Sequence, residues 1–167
     1  MPRLALDQSI RTTGYAIYEN DKLVQKGHWT IPSSLTLGKR LHMIIDKLDE
    51  LHQQFHFDEI DFEDIQLQQG NVETYKKLAY VQAMIIFFCE KYNISYKILS
   101  PSHWRSILKK NYKVIFGRKR QEQKKAAREF VIKYFNFSDE KVTEDECDAI
   151  CLGLAAQEEN KLPKGAF

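Results

Sequence analysis

Four carboxylates stand where acids can gather around a hard cation: Asp7, Glu63, Asp145 and Asp148. Asp7 closes the run Arg3-Leu4-Ala5-Leu6. Glu63 closes Glu59-Ile60-Asp61-Phe62, and the last two lie three apart near the other end of the chain. Three distant segments thus each place an acid at an element end. Gathered acids repel, and one pair about 4 Å apart costs roughly 4 kcal/mol at an effective dielectric of about 20. Such a cluster persists only with protons or bound cations, and Mg²⁺, which prefers oxygen ligands, suits it. The chemistry open to it is metal-assisted displacement at a phosphodiester.

Each acid also has a plainer explanation. An Asp that starts a turn after a strand is common, and Glu63 has acidic neighbours in Asp61 and Asp64. Alternation puts Asp61 and Glu63 on one strand face and Phe62 on the other. The last helix discriminates better. Thr143-Glu144-Asp145-Glu146 is a capping box, with Thr143 as N-cap and Glu146 three residues later. Acids in a first turn complement the helix dipole, which accounts for Glu144 and Glu146. Asp148 lies in the second turn and shares a face with Asp145. That stripe continues through Ala149, Leu152, Ala155 and Ala156, the face that packs on the sheet. An acid in line with it needs a compensating partner, and a cation shared with Asp7 and Glu63 supplies one.

The net charge of +2 conceals an asymmetry. Between His103 and Lys133 eleven Lys and Arg face only Glu122 and Glu129, so this segment carries +9 and the rest −7. A basic stripe on an acidic body is a focused field suited to a polyphosphate partner. Arg118, Lys119, Arg120, Lys124 and Lys125 are the candidates for phosphate contact. His103 is a further candidate, whereas Trp104 beside it reads as core.

These residues need a scaffold, and 167 residues suffice for one domain with a real core. We expect that domain over residues 1–159, with 160–167 as a flexible tail containing Pro163 and Gly165. The longest apolar run, Met84-Ile85-Ile86-Phe87-Phe88-Cys89, is too short to span a bilayer, so no membrane partner is expected. The opening residues are too few and too soon acidic for a signal peptide. Cys89, Cys147 and Cys151 form no CxxC and point to the reducing cytoplasm, with no zinc ribbon. Cys147 and Cys151 read as small apolar packers. His52 and His56 lack a nearby ligand set and read as solvent-exposed.

The patterns predict strands at Leu4–Asp7, Thr13–Glu19 and Lys22–Thr30, with Asn20-Asp21 turning between the last two. Leu37, Leu41, Ile44, Ile45, Leu48 and Leu51 recur at helical spacing, closing at Phe55. Glu59–Glu63 reads as a fourth strand, Asn71 to Tyr92 as a long helix and Ser95–Leu99 as a fifth strand. A short helix, His103–Leu108, follows with Ser102 as cap. A basic linker is expected from Lys109 to Gln123, then helices over Lys124–Phe135 and Thr143–Gln157. Three antiparallel strands followed by a βαβ unit make a mixed α/β sheet with helices on its faces.

In order and spacing these segments resemble the RuvC family of Holliday junction resolvases, within the RNase H-like superfamily. Leu6-Asp7-Gln8-Ser9 through Thr13-Gly14-Tyr15-Ala16 resembles the family's opening strand and hairpin, with Gln8 and Ser9 departing from its commoner Asp-Pro-Gly. Ile60-Asp61-Phe62-Glu63 resembles its second acidic strand and favours Glu63 over Asp61 and Asp64. Ser100-Pro101-Ser102 is similar to its Pro-Ser turn, Lys124 through Val131 to its basic helix start, and Asp145-Glu146-Cys147-Asp148-Ala149 to its closing helix.

The resemblance implies an RNase H-like five-stranded sheet and a metal-dependent endodeoxyribonuclease. It implies two Mg²⁺ (or Mn²⁺) held by Asp7, Glu63, Asp145 and Asp148, with Asp7 shared by both ions. It also implies a DNA-contacting Lys124, 5′-phosphate and 3′-hydroxyl products, and a homodimer acting on four-way junctions. The long Asn71–Tyr92 helix, with Tyr75 and Tyr80, is the expected dimer face. Two departures bear on cleavage preference. Gln66 stands where well-studied cellular members carry a Phe, and the loop before the basic helix is rich in Lys and Arg rather than Gly. The chain resembles a shorter, divergent phage-type member, for which no dedicated branch-migration motor is expected. Three other readings are a nuclease of this fold on forks or hybrids, a catalytically silent junction-binding module, and a phosphotransferase related through the Asp7-Gln8-Ser9 loop.

Overall fold

A computed structural model describes residues 1–67, 70–138 and 141–162. Three antiparallel strands open the chain: β1 (Arg3–Asp7), β2 (Thr12–Glu19) and β3 (Lys22–Thr30). Asn20 and Asp21, both at positive φ, form the tight turn between β2 and β3. Helix α1 (Leu37–Phe55) leads to β4 (Glu59–Glu63), and α2 (Val72–Tyr92) crosses to β5 (Ser95–Leu99). Three helices follow: α3 (Pro101–Tyr112), α4 (Arg120–Phe135) and α5 (Glu144–Asn160). The sheet order is β3-β2-β1-β4-β5, with β4 parallel to both β1 and β5. This is the expected mixed sheet.

Alternation along the strands builds two cores. Leu4, Leu6, Ile17, Ile60 and Phe62 face α1 and α2, meeting Ile44, Leu48, Val81, Ile85 and Phe88. Ala5, Ala16 and Tyr18 face the other way, against α5 with Trp104, Leu108, Ala127 and Val131 of α3 and α4. Helix α5 is buried nearly all round from Glu146 to Gln157, more than the single stripe predicted, because α3 and α4 cover its outer side. The Gly153 position admits no side chain, since a Cβ would lie 2.3 Å from the Tyr18 ring. Cys147 and Cys151 pack in this core, as expected, and all three cysteines are free.

Several boundaries differ from expectation. Ser100, not Ser102, caps α3 by accepting from the His103 N–H, and Pro101 takes the first helical position. Helix α3 continues to Tyr112, and α4 starts at Arg120, where the Glu122 carboxylate accepts from the Lys119 N–H. The basic linker therefore shrinks to 113–119. At the other end α5 includes Asn160, whose amide donates to Glu59 at 3.1 Å and whose carbonyl accepts from Lys97. Within the expected tail, 163–167 lie outside the described residues. No described helix is long and apolar enough to cross a membrane.

Candidate active site

On β1 and β4 the odd-numbered residues face α5. Arg3 and Glu59 lie at one end of that face, Ala5 and Asp61 at its middle, and Asp7 and Glu63 at the other end. Arg3 joins Asp61 at 3.2 Å and Gln157 at 3.3 Å, so the Asp61 carboxylate is engaged on the Arg3 side, and Asp61 is not among the residues that line the cleft around Asp7. This separates Asp61 from Glu63, although alternation puts them on one face.

Helix α5 runs back along β1, and its first turn meets the end where Asp7 stands. Gly14 pairs with Asp7 across the β1–β2 ladder. A Cβ on Gly14 would lie 2.1 Å from the Asp145 carbonyl oxygen. The missing side chain is what lets α5 seat Asp145 beside Asp7. The capping box fixes that turn, with Thr143 accepting from the Glu146 N–H and Glu146 from the Thr143 N–H, both at 3.2 Å. Glu146 caps and does more: it is buried and pairs with Lys26 and His28 of β3, each at 2.8 Å.

Asp7, Glu63, Asp145 and Asp148 line one cleft of about 680 Å³, with Gln8, Arg11, Gln66, Tyr75, Arg105, Arg120, Gln123 and Lys124 among its other walls. Asp7 opens to this cleft and is enclosed by protein elsewhere. Burial, then the charges of Asp148, Glu63 and Asp145, push its carboxyl well above the ordinary range, against the pull of Lys124. Burial also raises Glu63, with Asp148 adding to it and the Trp104 hydrogen bond and Arg105 opposing. Asp148 is raised by burial against Lys124.

The partner expected for Asp148 is present as a side chain. The Lys124 ammonium lies 3.2 Å from Asp148 and 3.8 Å from Glu144. Burial alone would lower the Lys124 pKa, but Asp148 and Asp7 hold it above the ordinary value. Among the described residues no three His, Cys, Asp or Glu side chains stand close enough to enclose an ion. The donor chemistry nevertheless fits hard divalent cations: four carboxylates line one cleft, and the other three all raise Asp7. Lys124 and the Trp104 indole occupy carboxylate oxygens that a metal would compete for.

Two contacts that sequence reasoning did not foresee hold Glu63. Trp104 is buried, as expected, but its Nε1–H donates to Glu63 Oε2 at 2.7 Å. The Gln8 amide brackets the Glu63 backbone, donating to its carbonyl at 2.6 Å and accepting from its N–H at 3.2 Å. Arg11 and Arg105 add cations to the cleft that were not anticipated. Among the predicted phosphate contacts, Arg120 and Lys124 line the cleft, and Arg118 and Lys119 are exposed on the loop before α4. Lys125 points elsewhere, 3.7 Å from Glu129. His103 pairs with Glu159 at 2.7 Å and is not among the residues lining the cleft. Tyr75 lines the cleft instead of joining Tyr80 on the outside of α2. His56 is exposed as expected, whereas His52 is half-buried and accepts from the Phe57 N–H at 3.1 Å.

Comparisons with known proteins bear on the fold and the family. The chain superposes on T. thermophilus RuvC in complex with Holliday junction substrate with a TM-score of 0.74, at 13% identity, over 96% of each chain. It superposes on Fowlpox virus resolvase, solved with substrate Holliday junction DNA, with a TM-score of 0.67 at 17% identity, over 97% of this chain and 100% of that one. At such identities the likeness is one of fold. In sequence it is 26% identical over 102 residues to a crossover junction endodeoxyribonuclease RuvC from Dictyoglomus thermophilum, a match over 59% of this chain. The chain spans 64% of that relative's length. The profile of the family described as crossover junction endodeoxyribonuclease RuvC matches residues 4–156, from β1 through α5 and all four acids, and the chain belongs to that family.

Proposed function

We propose that this chain is an endodeoxyribonuclease that resolves four-way DNA junctions by hydrolysing phosphodiesters with Mg²⁺, Mn²⁺ serving as a substitute. The observation that carries the reading is the convergence of Asp7, Glu63, Asp145 and Asp148 on one cleft edged by Arg105, Arg120 and Lys124. Both structural relatives described above were solved with Holliday junction DNA, which supports the substrate.

Asp7, Glu63, Asp145 and Asp148 hold the metal in this reading. Bound divalent ions supply a nucleophilic water at neutral pH and stabilise charge on the leaving oxygen. The protein's own work is placement. Trp104 and Gln8 fix the side chain and backbone of Glu63, and Gly14 with the Thr143–Glu146 box seats Asp145 and Asp148. Lys124, which pairs with Asp148 at 3.2 Å, would be available to the substrate phosphate if a divalent ion took up the Asp148 carboxylate. Arg105 and Arg120 flank that phosphate, and Arg118 and Lys119 reach the DNA arms beyond it.

Two symmetric nicks need two sites, which a twofold homodimer supplies. The outer face of α2 supports this arrangement: Tyr80 and Phe87 are exposed and Met84 half-buried, at the spacing of a helix-pairing seam. No branch-migration motor is required.

Digestion of a four-way junction, a fork and an RNA–DNA hybrid with Mg²⁺ tests the reading. Paired nicks in opposite strands of the junction, with 5′-phosphate ends, are expected. Preference for the fork or hybrid makes this a nuclease of the same fold on other substrates. Binding without cutting makes it a silent junction-binding module.

A further inference from the structure

We propose that Ile115 is a prong that enters the base stack of the DNA beside the cleft, at the branch point. The proposal rests on the junction-nuclease reading and adds a DNA-opening element to it.

Ile115 lies in the loop between α3 and α4. Its neighbours point inward: Val114 is buried, and Phe116 packs against the same core, its ring edge-on to Trp104 with centroids 5.7 Å apart. Between these two anchors Ile115 is 82% exposed, the highest value among the exposed large apolar side chains of the described residues. Isolated exposed apolar residues are ordinary. This one is distinguished by how it is held and by what surrounds it.

The loop is tied at both ends. Lys113 closes α3 in the left-handed region, at φ 60°. On the other side the Gln123 amide donates to the Gly117 carbonyl at 3.1 Å, and the Lys119 N–H donates to Glu122 at 3.1 Å. Ile115 is therefore presented from a braced backbone, so little ordering is left to be done on contact. Lys113, Arg118, Lys119 and Arg120 flank it. A partner meeting this surface is polyanionic yet must accept an apolar side chain. DNA whose bases are unstacked satisfies both, and apolar wedges enter base steps in this way. The loop also adjoins the reaction centre, since Phe116 packs on Trp104, Trp104 donates to Glu63, and Arg120 and Gln123 line the cleft.

The test is a synthetic four-way junction carrying 2-aminopurine at the crossover, titrated with protein in Ca²⁺ buffer and then cleaved in Mg²⁺. Wild-type protein should raise the fluorescence severalfold as the base unstacks. Ile115→Ser should fold with an unchanged melting temperature, because the side chain is exposed, and should lose most of the fluorescence rise. It should cut a fully paired junction about tenfold more slowly, but a junction with unpaired bases at the crossover with a smaller loss. Ile115→Leu should restore the signal.

A full fluorescence rise with Ile115→Ser, while wild-type protein cuts the junction, overturns the prong and leaves the nuclease reading standing. Wild-type protein that neither binds nor cuts the junction overturns both. If Ile115→Ser loses binding to anionic vesicles while its fluorescence rise is intact, the residue belongs to a membrane contact, which also overturns the prong.

Discussion

The indole N–H of Trp104 donates to a carboxylate oxygen of Glu63 across 2.7 Å, linking the start of α3 to the end of β4. The ring also packs on Phe116 and carries the Arg105 guanidinium 4.8 Å from its centroid. One buried side chain thus orients an acid of the proposed site and a cation of its wall.

Trp104→Phe keeps most of the packing and deletes the donor. A hydrogen bond to a charged group contributes about 1.5–3 kcal/mol, so single-turnover junction cleavage should fall about 10- to 100-fold. Junction affinity in Ca²⁺ should stay within about twofold, since each decade needs about 1.4 kcal/mol. Wild-type turnover by the variant would leave Trp104 with packing alone.

Gly14→Ala probes the seat of α5. The added Cβ collides with the Asp145 backbone, which cannot yield without moving the helix start. Overpacking of this kind costs about 1–3 kcal/mol. Chemical denaturation should report that loss, and cleavage should fall further than stability because Asp145 moves away from Asp7. Unchanged stability and cleavage would mean that the helix does not need this close approach.

Metal should stabilise the fold through the acids. In chelator, Asp7→Asn should melt at a higher temperature than wild type, because it removes an acid that burial and three neighbouring carboxylates disfavour in its charged form. Added Mg²⁺ should raise the wild-type melting temperature by mass action and move the variant little. A variant that melts below wild type in chelator would contradict mutual repulsion at the cluster.

Asp61 gives a pH dependence away from the cleft. Burial, then Glu59, raise its pKa to about 8 against Arg3 and Lys97, from an ordinary value of 3.8. Between these values the folded state binds more protons than the unfolded state, so stability contributed here falls as pH rises from about 4 to about 8. Asp61→Asn removes this slope. Denaturation midpoints should favour the variant more at pH 9 than at pH 5. A constant difference across that range would show that Arg3 keeps Asp61 ionised throughout.

The sheet was legible because burial on both faces imposes alternation. Leu4 and Leu6 point to one core and Ala5 to the other, and Asn20-Asp21 supplies a turn readable from residue type. The end of α3 and the start of α4 were not legible, since Lys109 to Tyr112 and Arg120 to Gln123 carry little apolar periodicity. Packing of Tyr112 holds the first, and hydrogen bonds from the Lys119 N–H to Glu122 and from the Gln123 amide to the Gly117 carbonyl hold the second. The acids stood out as charges ending apolar runs. Their partners did not: Trp104 and Glu63 are 41 residues apart, and Lys124 and Asp148 are 24 apart. No local pattern encodes either pair. Lys124 was assigned to DNA by charge and by its place in the family resemblance, and its bond to Asp148 depends on how α4 crosses α5. A Trp three residues after Pro101, in the first turn of α3, is the one local hint that this helix returns an indole to the sheet end.

Asp7 is proposed to belong to a metal-dependent cutting centre and to be dispensable for the fold and for DNA binding. The most direct measurement compares wild type and Asp7→Asn on one labelled four-way junction, by mobility shift in Ca²⁺ and by cleavage in Mg²⁺. Equal binding by both proteins, with paired nicks from the wild type alone, is the predicted result. Cleavage by Asp7→Asn at the wild-type rate would contradict the account.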